Sequence, residues 1–342
     1  MKKIFYLGLV FFLSCCLIVA GCGSGVDTEE RRESEKEVVV ITDGKGNEVE
    51  VACPVARIIS INPGASEVIC ALGGLETIIG RSAPSVFPAA LEEIQVVADS
   101  SNKPNMELII ESQPDLVVAD SMFKDDLRER LLAAGIPCLI YVTSDVEGLP
   151  NMVAGLGEVL GKRERAQQLI DYYEGYFALI EERTAQLAEE DKPLIYYEWN
   201  KPYYSTNSSG PAHYRMSLAG GRNMAADEPV RSPTLAPEWI AEKDPDLIIR
   251  MSSRGDSPEQ LEELYQEVLN RTGLSKTKAV RDERVYLMSW DISSGIRSVI
   301  GTLYLAKWIQ PELFSDIDPE EVHRELLSTF YNMELDEVYV YP

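Results

Sequence analysis

One stretch of twelve residues occurs twice, and it constrains the fold more than any other feature of the chain. Glu107 to Val118 reads ELIIESQPDLVV, and Glu238 to Ile249 reads EWIAEKDPDLII. Six positions are identical without a gap: Glu107/Glu238, Ile109/Ile240, Glu111/Glu242, Pro114/Pro245, Asp115/Asp246 and Leu116/Leu247. Each copy reads as a short helix, a Pro-Asp turn and a continuous apolar strand. Strands without alternation suit a parallel sheet covered on both faces. The copies lie 131 residues apart (238 − 107), far beyond the period of a stacked-repeat array. The spacing therefore predicts a duplicated domain.

Between the copies, Lys162 to Asp191 carries Ala166, Leu169, Ile170, Tyr173, Phe177, Ile180, Thr184 and Leu187 at steps of three and four. This predicts one amphipathic helix of about thirty residues, roughly 45 Å long. A single apolar stripe between two α/β halves fits a rigid linker packed on both better than a coiled-coil arm. The first half, residues 38–161, alternates strands (Arg57–Ile61, Thr77–Gly80, Val96–Ala98, Pro137–Val142) with helices (Ser66–Leu72, Leu127–Ala134) around the first copy. The second half, residues 192–342, repeats the plan with strands at Pro193–Trp199 and Arg284–Met288, and helices at His213–Ala219 and Ile296–Trp308. Val38–Val51 is expected to form a hairpin turning through Asp43-Gly44 and Lys45-Gly46. The predicted class is α/β: two Rossmann-like α/β lobes joined by one long rigid linker helix, with a ligand cleft between the lobes.

The start of the chain points outside the cytoplasm. Lys2 and Lys3 precede an uncharged apolar run from Ile4 to Ala20, followed by Gly21-Cys22. A short positive region, an apolar core and small residues before a cleavage site describe a secretory signal. Small residues directly before Cys22 resemble the bacterial lipobox. That resemblance implies a signal peptide over residues 1–22, lipidation of Cys22, and an extracytoplasmic protein anchored to the bacterial cell membrane. Residues 23–37, Gly/Ser-rich and then densely charged, cannot pack a core and read as a flexible tether. Of six cysteines, Cys53, Cys70 and Cys138 lie in the folded part. Their odd number and lack of a C-x-x-C pair give no metal or redox motif, and a disulfide among them is left open.

The formal net charge is −24, with 56 acidic and 32 basic residues. A chain so acidic argues against sequence-independent binding to a nucleic-acid backbone, which needs a basic surface. With two histidines, His213 and His323, the composition argues against a His-rich zinc or copper site, and no cofactor is expected. Against enzymes, the chain has no phosphate-binding G-x-x-x-x-G-K-[ST], no G-x-G-x-x-G after a strand and no G-x-S-x-G elbow.

Ligands of open α/β sheets sit outside the carboxyl ends of the strands, so the strand-end segments supply the candidates. Residues 196–204 hold five aromatics, against 8% aromatic overall. Tyr196 and Tyr197 fall within a strand, as core would; Trp199, Tyr203 and Tyr204 lie past its end. Arg81, Arg231 and Arg297 fall at element ends on the cleft side. Singly, each reads as a solvated or ion-paired residue; together they would make an anion site, since planar forked donors suit carboxylates and oxyanions. Asn102, Trp290 and Asp291 occupy comparable strand ends. Glu107 and Glu238 start short helices, where the helix dipole alone favours a carboxylate; the sharper reading is a symmetric pair of surface acids clamping a two-fold partner.

Taken in order, Arg57 to Gly73 (RIISINPGASEVICALG), the two Glu-helix–Pro-Asp-strand units, Leu218 to Met224 (LAGGRNM), Val285-Tyr-Leu and Leu303 to Phe314 (LYLAKWIQPELF) resemble the solute-binding lipoproteins of ABC importers with a helical backbone. That class binds ferric siderophores, haem and vitamin B12, and the resemblance runs from Val38 to about Met333. It implies a receptor, not an enzyme, that holds a metal chelate or oxyanion between its lobes and delivers it to a dimeric permease with its ATPase. It further implies that Glu107 and Glu238 dock onto permease arginines, and that positions around Arg81, Asn102, Trp199, Tyr203, Arg231 and Arg297 line the pocket. The first-lobe aromatic that stacks on B12 falls near the small Ser101, so a corrinoid gains no specific support. A ferric siderophore is the first expectation, followed by haem, corrinoid, and molybdate or tungstate. A non-transport α/β enzyme is the alternative class.

Overall fold

The computed structural model describes residues 37–143 and 146–342. The expected signal peptide, Cys22 and the expected tether up to residue 36 lie outside the described residues. The described chain opens in an antiparallel hairpin, β1 (Glu37–Thr42) against β2 (Glu48–Cys53). Asp43 shapes the turn: its Oδ1 accepts the backbone N–H of Lys45 and of Asn47, each at 2.9 Å.

The first lobe runs β3 (Ile58–Ser60), α1 (Pro63–Ala71), β4 (Ile78–Ser82), β5 (Val96–Ala98), α2 (Met106–Glu111), β6 (Leu116–Ala119), α3 (Asp125–Ala133), β7 (Cys138–Ile140) and α4 (Leu149–Val159). Its five strands are parallel in the order β5-β4-β3-β6-β7. The helix α5 (Arg163–Thr184) follows. The second lobe runs β8 (Leu194–Glu198), α6 (Pro211–Leu218), β9 (Arg222–Asn223), α7 (Pro237–Lys243), β10 (Leu247–Ser252), α8 (Pro258–Asn270), α9 (Lys278–Arg281), β11 (Val285–Ser289), α10 (Ser298–Ile309), α11 (Pro319–Leu326) and β12 (Val340–Tyr341). Here the order is β12-β11-β10-β8-β9, with only β12 antiparallel.

The repeat copies occupy matching places: β6 and β10 are interior strands, and every residue of both is buried. The structure also explains why Pro-Asp recurs. Asp115 Oδ2 accepts the N–H of Ala56 at 2.8 Å and of Arg57 at 3.0 Å, and Asp246 Oδ2 accepts that of Leu194 at 2.7 Å. Each aspartate thus satisfies backbone donors at the entry to its lobe's first strand, which would otherwise enter the sheet without partners. The equivalent residues Gln113 and Asp244 both adopt a left-handed conformation, φ 47° in each, which reverses the chain after each short helix.

The helix between the lobes is shorter than its pattern predicts: 22 residues, about 33 Å. The chain then makes a short 3-10 turn at Glu189–Asp191. Three consecutive acids there oppose the negative end of a helix dipole, and the Thr184 hydroxyl donates to the Leu218 carbonyl at 2.9 Å, tying the helix end to α6. Within its span, α5 buries Ala166, Leu169, Ile170, Tyr173 and Ile180 and packs on α4, α6 and α10, so it touches both lobes. The sequence reading places no helix over α4, α8 or α11. In α4, Leu149, Met152, Val153, Leu156 and Val159 are buried on one face, with Asn151 and Ala154 exposed opposite, a one-sided helical stripe legible in the sequence.

The core is not divided between the lobes. One continuous apolar cluster joins Ile58, Val68 and Leu156 of the first lobe, Leu169 and Tyr173 of α5, and Ile195, Leu247 and Leu303 of the second. Separate clusters cover the outer faces, under α2 and α3 in the first lobe and under α7 to α9 in the second.

Candidate functional site

The strand order of an open α/β sheet reverses at one point, and the crevice there is the usual ligand site. In the first lobe it falls between β3 and β6, and side chains fill it. Asn62 Nδ2 donates to the carbonyls of Tyr141 at 3.1 Å and Ala119 at 3.3 Å, and its Oδ1 accepts the N–H of Ala65 at 3.2 Å. The Ser101 hydroxyl donates to the Ile61 carbonyl at 2.8 Å and accepts the Asp120 N–H at 3.2 Å. In the second lobe the reversal lies between β8 and β10, and it is closed on the outer face. Buried Glu198 receives Arg271 Nη1 at 2.6 Å and lies 2.9 Å from Arg250 Nε. The Tyr196 hydroxyl at 2.6 Å and the Tyr203 N–H at 2.7 Å complete its partners.

The open space is on the inner face of the second lobe. A cavity of about 210 Å³ is lined by Tyr197, Trp199, Arg215, Arg231, Trp290 and Ser293, among others. The rings of Trp199 and Trp290 stand 5.6 Å apart at 52°. Tyr204 backs this wall, stacked on Trp199 at 5.7 Å and 11°, with Lys201 Nζ 4.3 Å from its ring centroid. A second cavity of about 310 Å³ shares Pro211 and Arg231 and adds Val146 and Glu147 from the first lobe. The recess therefore opens between the lobes, with most of its wall on one side.

Among the residues singled out from the sequence, Trp199, Arg231 and Trp290 line this recess and Tyr204 supports it. The others do not join it. Tyr203 turns away with φ 61°, donates its hydroxyl to the Thr272 carbonyl at 2.9 Å, and lies under Arg271. Asp291 is buried beneath, accepting Arg254 Nη1 at 3.0 Å and the Ser289 hydroxyl at 2.8 Å. Asn102 is exposed in a turn, receiving the Ser100 hydroxyl at 2.6 Å.

Two of the three arginines expected to converge do structural work elsewhere. Arg81 is buried at the end of β4, and its guanidinium donates to the carbonyls of Ser82, Ala83, Glu92 and Ile94 at 3.1 to 3.3 Å. A fork-shaped cation at a strand end reads as an anion site from sequence, but here folded-back backbone saturates it. Arg297, at the N-cap of α10, is fully buried and forms a bidentate pair with Glu67 of α1, 3.1 Å at both contacts. The Phe87 ring lies 3.7 Å from its guanidinium. Burial opposes the charge of Arg297, but the Glu67 carboxylate overcomes this and raises its pKa. Around this pair the lobes meet closely. Gly295 donates to the Thr143 carbonyl at 3.1 Å, and a Cβ on Gly295 would stand 3.5 Å from Gly64 Cα.

The residue missed from the sequence is Arg215. It sits on the buried stripe of α6 with Ala212, Met216 and Ala219, lines the recess, and donates to the Ser293 carbonyl. Burial pushes its pKa down. The signal for it was available: an arginine at an apolar position of an amphipathic helix needs a polar reason to be there. Glu107 and Glu238 are exposed at the starts of α2 and α7.

Cys53, Cys70 and Cys138 are all buried; Cys70 and Cys138 are free thiols, whose pKa values burial pushes up to about 12. Among the described residues, no group of three or more His, Cys, Asp or Glu side chains is placed to hold a metal ion. Nor is any described helix long and apolar enough to cross a membrane.

Comparison with known proteins places this geometry. An ABC transporter substrate-binding lipoprotein of Bacillus subtilis, YvrC, is 26% identical over 317 residues, covering 89% of this chain and 96% of the relative. A cobalamin-binding protein of Halobacterium salinarum is 26% identical over 200 residues, 56% of this chain and 53% of the relative. The crystal structure of a periplasmic solute binding protein from Veillonella parvula superposes with a TM-score of 0.74 at 25% identity, over 88% of this chain and 95% of that one. The periplasmic binding protein family itself matches residues 58–291, from the first parallel strand through the Trp290-Asp291 turn. The chain belongs to that family, as the substrate-binding protein of an ABC transporter.

Proposed function

We propose that this receptor carries an organic metal chelate, held against Trp199 and Trp290 in the recess between the lobes. The observation that carries the reading is the aromatic wall itself: two indoles, one backed by a stacked tyrosine, over a cavity that continues into the cleft. Rigid planar rings give a large apolar contact at low entropic cost, which suits the flat or ring-rich shell of a chelate. A bare molybdate or tungstate ion would gain little from such walls.

Among chelates a corrinoid comes first. The Halobacterium relative is a cobalamin-binding protein, and the stacking surface that Ser101 cannot supply in the first lobe is available from the second. A ferric siderophore, the first expectation from sequence, is the second reading; exposed Arg231 at the recess mouth favours it. The rest of the assignment follows the family. Glu107 and Glu238, one exposed on each lobe, dock onto basic sockets of the dimeric permease, and lipid on Cys22 holds the protein at the outer face of the cell membrane.

The test is ligand-induced stabilisation of the purified protein with cyanocobalamin, ferric hydroxamate and catecholate siderophores, haemin, molybdate and tungstate. A ligand at a hundred times its dissociation constant stabilises by about 2.7 kcal/mol, a clear rise in melting temperature. A rise with an organic chelate and none with the oxyanions is expected. A rise with the oxyanions alone refutes the proposal.

A further inference from the structure

Five arginines are buried among the described residues, and four have evident partners. Arg250 and Arg271 face Glu198, Arg297 faces Glu67, and Arg81 is capped by four carbonyls. Arg215 differs. It is 5% exposed, donates to the Ser293 carbonyl, keeps Nε buried without a partner, and is ion-paired with no carboxylate among the described residues. A buried cation without a counter-charge is costly, and where it borders a cavity and is not saturated by carbonyls, as Arg81 is, an entering anion can supply that charge. Arg215 borders the recess between Trp199 and Trp290. Aromatic walls lower the local dielectric and strengthen whatever ion pair forms there. Arg231, exposed and shared by both cavities, adds a second cation at the mouth. Glu147 lines the adjoining cavity, not this one.

We infer that the ligand carries an anionic oxygen group, a carboxylate, phenolate or phosphodiester, that seats on Arg215 behind the indole wall, with Arg231 steering it in. The inference rests on the chelate reading and adds the charge class of the ligand and the residue that selects it. The planar fork of Arg215 gives such a group two parallel donors.

The experiment compares paired chelates that differ in anionic oxygen. Cyanocobalamin bears a phosphodiester and dicyanocobinamide lacks it; a ferric tris-catecholate is anionic and a ferric tris-hydroxamate is neutral. Calorimetric titration is run on the wild-type protein, Arg215→Met, Arg215→Lys and Arg231→Ala. For whichever pair binds, the wild type should prefer the anionic member by about tenfold or more, as expected for a desolvated charge pair. Arg215→Met should abolish that preference, and Arg215→Lys should retain much of it. Arg231→Ala, at an exposed position where folding is not at stake, should narrow it severalfold. Equal affinity of wild-type protein for both members overturns the inference, even if Arg215→Met fails to fold. So does an Arg215→Met protein that folds and weakens both members alike. Binding of neither pair to the wild type refutes the chelate reading itself.

Discussion

Removing the Arg297 head group separates a structural clamp from a ligand-binding residue. In Arg297→Met the Glu67 carboxylate stays buried, 4% exposed, without the guanidinium that holds it at 3.1 Å on both oxygens. Breaking a buried pair from one side costs about 3–5 kcal/mol. The guanidinium also lies 3.7 Å from the Phe87 ring centroid, a desolvated cation–π contact worth up to about 2 kcal/mol. The methionine stem keeps some packing, so a loss of about 4 kcal/mol is expected, a large part of the roughly 5–15 kcal/mol by which proteins are stable. Glu67→Leu combined with Arg297→Met leaves neither charge buried and should recover most of the loss, because buried pairs exchanged for apolar side chains are often neutral or better. The assay is urea unfolding of wild type, both single variants and the double, closed as a thermodynamic cycle. A coupling of about 3 kcal/mol or more is expected between residues 230 positions apart in the chain. An Arg297→Met protein that keeps wild-type stability but loses ligand affinity refutes the clamp and returns Arg297 to the pocket.

Two further outcomes follow from the same structure. Glu107→Ala with Glu238→Ala should abolish transport in cells while leaving chelate affinity of the purified protein unchanged; a parallel loss of affinity would remove the docking role from these exposed side chains. Burial, aided by the Arg297 charge, lowers the His323 pKa to about 3, while its ordinary value is 6.5. Between those values the unfolded chain binds the extra proton, so acid destabilises the fold by about 1.4 kcal/mol per pH unit from this one group. His323→Phe, which keeps the edge contact with Tyr339, should flatten the stability–pH slope between pH 6.5 and 4.5 by that amount; equal slopes in the two proteins would refute the assignment.

Elements whose pattern is local were legible in advance. The duplicated helix–Pro-Asp–strand unit became α2–β6 and α7–β10, two buried interior strands in two parallel sheets, because an unbroken apolar run has few other homes. The stripe of α5 faces both lobes as its period requires. The aromatic cluster after β8 was found too, since side chains past a strand's end have no sheet to pack in. Helix α4 was not, although its buried face recurs at helical spacing; Gly155 and Gly157 within it lower the helix propensity of the segment. The amphipathic α8 carries a start legible in sequence, a capping box of Ser257 and Gln260.

What the sequence determines by itself is the class: the duplication and the linking helix give two α/β lobes, and the ordered motifs that resemble the solute-binding lipoproteins of ABC importers give the receptor. Only the tertiary structure decides which arginine meets a ligand. Arg81, Arg215, Arg231 and Arg297 carry the same side chain, and local sequence gives Arg81, Arg231 and Arg297 a comparable claim as element-end cations. Folding hands the first to backbone carbonyls, clamps the last to Glu67, leaves Arg231 at the mouth and Arg215 within the wall. The role of a guanidinium is set by which acceptors surround it, and beyond the neighbouring Ser82 and Ala83 carbonyls at Arg81 those acceptors come from residues 11 to 230 positions away, a distance over which no local pattern carries information.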